Sequence, residues 1–183
     1  MVMAMEKDDI QFSSLFSPAE VICQTDQTDR DKVLLNMLRV LAHRRNIGNI
    51  DDAHEAVLAR EKDMATVVAP GLAMPHARLE TIDAITVAVA TSRNGIVFNP
   101  DKSDNPVKLI VLTLTPKSAP GAYLQALGCL ARICQDPATA DTVAALSTPE
   151  QVWEFFDRGG APKRGNPNSE ARNPKQIQNA KFQ

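Results

Sequence analysis

The sequence predicts an α/β fold in which a mixed β-sheet is flanked by helices. Helical spacing of apolar residues dominates up to about residue 62, strand-like segments follow up to residue 114, and helical spacing returns after residue 120. Of the 183 residues, 44% are hydrophobic and 23% are charged, which is typical of a globular domain and excludes wholesale disorder. Aromatic residues make up only 4%, so we expect an aliphatic core.

The first part of the chain predicts one short strand and two helices. Residues 21–23 are suited to a strand, and Thr28 with the acidic residues after it predicts a helix start with a hydroxyl cap. That helix ends at the cations of residues 43–45, where the helix dipole favours positive charge. A second, more polar helix is predicted over residues 51–62, and its apolar face contains Ala53, Ala56 and Val57.

The middle of the chain predicts strands. Residues 85–91 alternate larger and smaller side chains, as a strand does. The Arg-Asn-Gly sequence at 93–95 predicts a turn, after which residues 95–98 continue the sheet. Residues 107–114 are β-branched and apolar on both faces, which predicts a strand covered on both sides.

Helices and a polar tail are predicted for the rest of the chain. Helices are expected over residues 120–135 and 138–146, and a capping box with proline at the first helical position begins a last helix at Thr148. Residues 158–183 contain six basic residues and one acidic residue, a net charge of +5, so the remainder carries −7. We therefore expect a folded domain over residues 1–157 and a disordered, basic tail over 158–183.

Several function classes are disfavoured by composition. No apolar run approaches the ~20 residues that span a bilayer, and no secretory signal is recognisable, so we expect a cytoplasmic protein without stable membrane insertion. The acidic body argues against nucleic-acid binding. Cys23, Cys129 and Cys134 have no metal-ligand spacing and are expected to be reduced. No zinc motif, serine-hydrolase motif or glycine-rich phosphate loop is present, so no metal or cofactor is predicted.

One histidine is a candidate for chemistry. His43 and His54 are predicted to be solvated, whereas His76 lies in the sequence Gly-Leu-Ala-Met-Pro-His-Ala-Arg of residues 71–78, where Pro75 stiffens the chain. The residues alone leave open a structural histidine and a nucleophile that carries a group temporarily. A phosphorylated imidazole would need cationic and hydroxyl donors, and Arg60 and Thr66 lie just upstream.

This ordered set of residues resembles the signature of a known family. Arg60-Glu61, Thr66 and residues 71–78 closely resemble the enzyme IIA domains of the bacterial sugar phosphotransferase system, specifically the mannitol/fructose type, which includes the nitrogen-regulatory IIA proteins. The resemblance extends over about residues 10–157. Residues 107–116 resemble the family's central strand, 123–127 the start of the following helix and 148–150 that of the closing one.

The resemblance implies a phosphotransferase component with a phosphohistidine intermediate. His76 would accept phosphate from the histidine phosphocarrier protein, Arg60 would stabilise the phosphate and Thr66 would donate a hydrogen bond to it. Many sugar-transporting members have a second histidine where this chain has Tyr123. We therefore expect a phosphoryl carrier whose role is regulatory, acting on a target protein, and we expect no fused IIB module, which is a further, mild indication. The alternatives are transfer to a IIB cysteine in sugar transport and a scaffold whose histidine is inert.

Overall fold

A mixed β-sheet with helices on both faces organises the chain. The computed structural model describes residues 11–63, 66–98, 106–119 and 121–161. Within them, two 3-10 turns, Phe12–Leu15 and Pro18–Glu20, precede the first strand. The regular elements are β1 (Val21–Ile22), α1 (Arg30–Arg44), α2 (Ile50–Asp63), β2 (Val67–Ala69), β3 (Leu72–Ala73), β4 (His76–Leu79), β5 (Thr86–Ile96), β6 (Val107–Pro116), α3 (Ala122–Ile133), α4 (Thr139–Ala144) and α5 (Pro149–Asp157). The predicted fold class is confirmed.

The strands β5 and β6 form the centre of the sheet. They pair antiparallel, and β1 lies parallel to the outer side of β5. On the other side, β3 and β4 both pair parallel with β6, at Leu72–Leu109 and His76–Thr113, while β2 pairs antiparallel with β3. The strands β3 and β4 are thus two consecutive segments along the same side of β6, with Met74 and Pro75 between them. Because proline has no N–H to donate, the ladder is interrupted here, and only the Pro75 carbonyl accepts, from the Thr113 N–H at 2.9 Å.

Alternate side chains of β6 enter two different cores, as the sequence predicts. Ile110, Leu112 and Leu114 pack with α1 and α2, whereas Leu109 and Val111 pack with the layer that contains α3 and α5. The first core is almost entirely aliphatic. The second departs from the aliphatic expectation, because four phenylalanines form a ring cluster within it: Phe12, Phe16, Phe155 and Phe156.

A tryptophan joins the N-terminal 3-10 turns to the last helix. The Trp153 indole N–H on α5 lies 3.1 Å from the Ser13 carbonyl and 3.0 Å from the Phe16 carbonyl. Trp153 is the only tryptophan in the sequence. The first described residues of the chain are therefore held by the last described helix.

The predicted turn at 93–95 is wrong. The strand β5 continues through Arg93 and Asn94 to Ile96, which pairs with Val107, and its register with β6 shifts between Thr91 and Ile96. Gly95 has φ +76°. The Arg-Asn-Gly signal thus marks an irregularity inside one strand, where glycine adopts a backbone conformation that other residues rarely occupy.

Two helix caps also differ from the prediction. The cap of α1 is Asp29 rather than Thr28, because the Asp29 carboxylate accepts from the N–H groups of Asp31 and Lys32. At α5, Thr148 caps as predicted, but the Gln151 side chain accepts from the Ser147 N–H rather than from that of Thr148, so the capping box is only half formed.

The C-terminal tail lies mostly outside the described residues. Residues 158–161 form a turn in which the N–H groups of Gly159 and Gly160 close the last turn of α5. Residues 162–183 and 1–10 are not described, so the predicted disorder of the tail stays a prediction. None of the described helices has the length and apolar character needed to cross a membrane.

Candidate functional site

His76 is the first residue of β4, at the interrupted edge of the sheet. The break at Met74 and Pro75 ends the pairing of β3 and lets the chain rejoin β6 one segment later, with His76 opposite Thr113. Residues in parallel register project to the same face, so the imidazole lies on the face that carries α3. The side chain is 8% exposed.

Arg60 fixes the state of the imidazole. It lies in the last turn of α2, and its Nε–H donates to Nε2 of His76 at 3.1 Å. Nε2 is therefore the acceptor nitrogen of the ring, and the neutral ring carries its proton on Nδ1. Nδ1 is buried, and no group in the described residues hydrogen-bonds it with ordinary geometry. Of the two ring nitrogens, only Nε2 therefore has a hydrogen-bond partner of ordinary geometry among the described residues.

Tyr123, in the first turn of α3, covers one face of the imidazole. The two ring centroids are 3.8 Å apart and the ring planes are inclined by 19°, so the rings are stacked. Burial raises the pKa of the Tyr123 phenol; the Glu61 carboxylate also raises it, and the Arg60 guanidinium lowers it. Tyr123 thus remains a neutral group beside His76.

The pKa of His76 lies below its ordinary value. Burial is the largest cause, since it disfavours the charged ring, and the positive charges of Arg60 and Arg78 add to it. The Met74 backbone carbonyl acts in the opposite direction, because it favours a protonated ring. The balance keeps the imidazole neutral, the form that can act as a nucleophile.

An open cavity of about 520 Å³ gives access to this ring. It is lined by Ala56, Arg60, His76, Ala77, Arg78, Tyr123 and Leu124. Two of these residues carry a positive charge, and none of the described lining residues is acidic. Leu124 is 66% exposed beside Tyr123. The cavity therefore combines a neutral imidazole with positively charged surroundings that favour anions.

Thr66 does not line this cavity. It is buried, its hydroxyl and its N–H both bond to the Glu61 carboxylate, and its carbonyl accepts from the Met74 N–H at 2.8 Å. The structure thus brings Arg60 and His76 together and connects Thr66 to Glu61 instead. Arg78 lines the cavity, although no role was assigned to it from the sequence. The signal that could have found it is its position two residues after His76 in a strand, which places both side chains on one face.

The other histidines and the cysteines do not line this cavity. His43 is exposed at the end of α1, and Nε2 of His54 contacts the Asp31 carbonyl at 3.1 Å. The three cysteines are free thiols, and burial raises the pKa of Cys134 to about 11. Across the part of the chain that the structure describes, no three histidine, cysteine or acidic side chains are grouped as metal ligands.

Comparison with known proteins decides the family. Residues 14–159 match the family described as phosphoenolpyruvate-dependent sugar phosphotransferase system, EIIA 2. The chain belongs to this EIIA family. The match contains every element of the site described above.

Curated relatives of this EIIA protein include both a component named as fructose-specific and proteins named as nitrogen regulatory. A PTS system fructose-specific EIIA component of Haloferax volcanii is 32% identical over 127 residues, which is 68% of this chain and 80% of the relative. A nitrogen regulatory protein of Klebsiella oxytoca is 32% identical over 110 residues, 58% of this chain and 66% of the relative. Sequence similarity alone therefore does not separate the two roles.

Solved structures show the same fold at low identity. The nitrogen regulatory protein IIA-Ntr of Neisseria meningitidis superposes with a TM-score of 0.68 at 23% identity, covering 79% of this chain and 97% of that one. In a complex of enzyme IIA and phosphorylated enzyme IIB for mannitol from Escherichia coli, the matching chain gives a TM-score of 0.66 at 14% identity, with 77% and 96% covered.

Proposed function

We propose that this EIIA protein accepts a phosphoryl group on Nε2 of His76, with the histidine phosphocarrier protein as donor. The observation that carries the proposal is the Arg60 Nε–H to His76 Nε2 hydrogen bond at 3.1 Å, at the wall of an open cavity. This hydrogen bond holds the Arg60 guanidinium beside the Nε2 electron pair that would attack phosphorus. Burial of Nδ1 excludes the other ring nitrogen from this role.

On the acceptor side, the transfer uses groups that the described residues of this chain supply. Nε2 attacks phosphorus, the P–N bond to the donor's imidazole breaks, and the electron pair of that bond returns to the donor ring. Nδ1 of His76 keeps its proton. Once the new bond forms, Nε2 has no electron pair left for Arg60, so the guanidinium turns to the phosphoryl oxygens, where a charge-assisted hydrogen bond stabilises the product.

The phosphorylation state is proposed to be the output, read by a regulated target protein. This finer proposal is supported by Tyr123, which stacks on His76 as a neutral phenol and adds no titrating group near physiological pH. Phosphorylation adds a charge of about −1.5 to −2 at the cavity, and a partner that binds one state better would sense it. Transfer to a IIB cysteine is the second candidate, supported by the fructose-specific relative.

The phosphoacceptor is tested by labelling. Incubation with phosphoenolpyruvate, enzyme I and the histidine phosphocarrier protein should add one acid-labile phosphate to the protein and none to His76→Ala. His54→Ala is the matched control, because His54 lies in α2 outside the cavity. Labelling of His76→Ala at the level of the unaltered protein would refute the assignment.

A second experiment separates the two roles. If the protein is regulatory, a pull-down should recover a partner other than a IIB domain, with recovery that differs between phosphorylated protein and His76→Ala. Rapid chase of the phosphate to a IIB cysteine, with Tyr123 in place, would instead establish the transport role.

The domain division is also a proposal. Residues 1–157 are taken as the EIIA unit and 158–183 as a basic extension. The N–H groups of Gly159 and Gly160 complete the end of α5, so the truncation that tests this division is placed behind the described turn at 158–161. Truncation after Ala161 should leave labelling and the melting temperature unchanged at ~0.15 M salt, where exposed charges are screened beyond about 8 Å.

A further inference from the structure

We infer that Arg78 is a further catalytic residue of this site, which binds the oxygens of the incoming phosphoryl group while Arg60 is still hydrogen-bonded to Nε2. The inference rests on the proposed phosphorylation of His76 and assigns to that reaction a residue which is not among the candidate site residues identified from the sequence.

Strand geometry puts Arg78 beside the nucleophile. It follows His76 by two positions in β4, and their register partners on β6 are Thr115 and Thr113. Side chains two residues apart in a strand project to the same face. Both therefore lie on the α3 side of the sheet, and both line the cavity.

The side chain of Arg78 is available to an anion. It is exposed, and it forms no hydrogen bond or ion pair with the residues for which the structure gives a position. Its positive charge nevertheless reaches the imidazole, because it contributes to the lowered pKa of His76. An arginine within electrostatic reach of Nε2, and with its donors uncommitted, is suited to bind phosphoryl oxygens at the mouth of the cavity.

The two arginines differ in what they can do before the bond forms. The Nε–H of Arg60 points at Nε2 and occupies the electron pair that must attack. For an incoming phosphoryl group to approach, Arg60 has to release that pair, and until then its Nε–H cannot serve the oxygens. Arg78 has no such commitment. A division follows in which Arg78 binds the phosphoryl oxygens first and the Nε–H of Arg60 turns to them as the new P–N bond forms.

An ordinary solvated arginine is the competing interpretation, and the chain offers a matched control for it. Arg93 is also an exposed arginine on a strand, and it does not line the cavity. Removing either guanidinium changes the net charge equally. Only a local role in the cavity makes the two substitutions differ.

The test uses phosphoramidate, a small donor that requires no partner protein. Its P–N bond breaks, ammonia leaves with the electron pair of that bond, and Nε2 forms the new P–N bond. The full chain, Arg78→Gln, Arg78→Lys and Arg93→Gln are compared for the rate of phosphorylation at His76. The ³¹P NMR titration of the phosphorylated protein then gives the pKa of the phosphoryl group.

Arg78→Gln should react about three- to tenfold more slowly, the range expected when one partly exposed charge-assisted contact is lost. The phosphoryl pKa should rise, because the lost cation favoured the dianion. Arg78→Lys should recover part of both effects, and Arg93→Gln should match the unaltered protein. A merely structural role would leave the phosphoryl pKa unchanged.

The outcomes separate the inference from the function on which it rests. If the unaltered protein takes up phosphate at His76 and Arg78→Gln shows the same rate and phosphoryl pKa, the inference is wrong and the proposed function stands. If Arg93→Gln is slowed as much as Arg78→Gln, overall charge is responsible and the inference is again wrong. If neither phosphoramidate nor the phosphocarrier protein labels His76, the proposed function itself fails.

Discussion

The phenol of Tyr123 lies flat on the imidazole of His76, with centroids 3.8 Å apart. Since burial is the largest cause of the lowered His76 pKa, removal of this cover should raise that pKa toward the ordinary value of about 6.5. We expect the rise in Tyr123→Ala and no rise in Tyr123→Phe, which keeps the stacked ring. NMR titration of the His76 ring measures it, and Leu124→Ala, at the exposed neighbour, is the control. An unchanged His76 pKa in Tyr123→Ala would contradict the argument.

A histidine at position 123 would supply a side chain that titrates near pH 7, which the phenol of Tyr123 does not. Tyr123→His replaces a neutral hydroxyl by a ring that can carry a proton near pH 7. If phosphate passes to a IIB cysteine at all, this variant should pass it faster than the unaltered protein, in a chase experiment followed by phosphate transfer to isolated IIB. Slower transfer would show that the tyrosine is itself adapted to that step.

The stability of the protein should depend on pH through His76. Its pKa is lower in the folded chain than in the unfolded chain, so the unfolded chain binds the proton first as the pH falls. The free energy of unfolding should therefore decrease as the pH drops through about 6.5 and level off below the folded pKa. Urea unfolding at several pH values measures this, and His76→Gln should lose that part of the dependence. A decrease of the same size in His76→Gln would assign it to other groups.

Arg60 is expected to support the reaction more than the fold. Arg60→Ala removes a positive charge and the donor to Nε2, so the His76 pKa should rise. One charge-assisted contact to the phosphoryl group contributes about 1.5–3 kcal/mol, which corresponds to at least tenfold slower phosphorylation or a shorter phosphohistidine lifetime. The melting temperature should hardly change. Equal losses of stability and activity would make Arg60 a structural residue.

Thr66 is expected to act on stability through Glu61. Thr66→Val removes the hydroxyl donor to the carboxylate of Glu61, a residue that is 4% exposed, which should lower the free energy of unfolding by about 1–3 kcal/mol. Thr66→Ser keeps the hydroxyl and should keep most of the stability. Phosphorylation per folded molecule should be unaffected by either substitution. A stable Thr66→Val protein that no longer accepts phosphate would restore the direct phosphate contact implied by the family resemblance.

A substitution at Gly95 tests how much the irregular part of β5 matters for stability. Its φ of +76° and the proximity of the Pro106 ring, with which an added Cβ would collide, predict that Gly95→Ala destabilises the protein by about 1–3 kcal/mol. Gly128→Ala is the opposite case, because nothing lies within 4 Å of the added Cβ and the residue is inside α3. Alanine there should stabilise by about 0.5–1 kcal/mol. Thermal unfolding of both variants gives the comparison.

Periodicity predicted most of the fold because helices and buried strands bury regular faces. The alternating burial of β6 is an example, since its two sets of side chains enter two cores. The error at residues 93–95 has a different origin. A glycine with positive φ serves a turn and a strand irregularity equally well, and only the pairing of Ile96 with Val107 distinguishes them. That pairing depends on a distant segment, which local patterns do not report.

The motif around His76 and its family resemblance predicted part of the site, whereas the partners of individual side chains were not predictable. His76 and Arg60 could be named from the sequence, and the structure brings them to 3.1 Å. Thr66 was grouped with them because it lies nearby in the chain, yet its hydroxyl is taken by Glu61. The stacking of Tyr123 depends on how α3 packs against β4 and β6, a tertiary relationship that residue spacing does not contain.

The single tryptophan gives the protein a built-in optical reporter. The Trp153 indole is held by two carbonyls of the N-terminal 3-10 segment, so its emission should shift when that segment detaches from α5. It does not line the cavity around His76. Fluorescence should therefore follow detachment of the chain's beginning without interference from phosphate on the imidazole. Loosening of the N-terminal segment, local to one end of the chain, can thus be separated from global melting by comparing emission with circular dichroism.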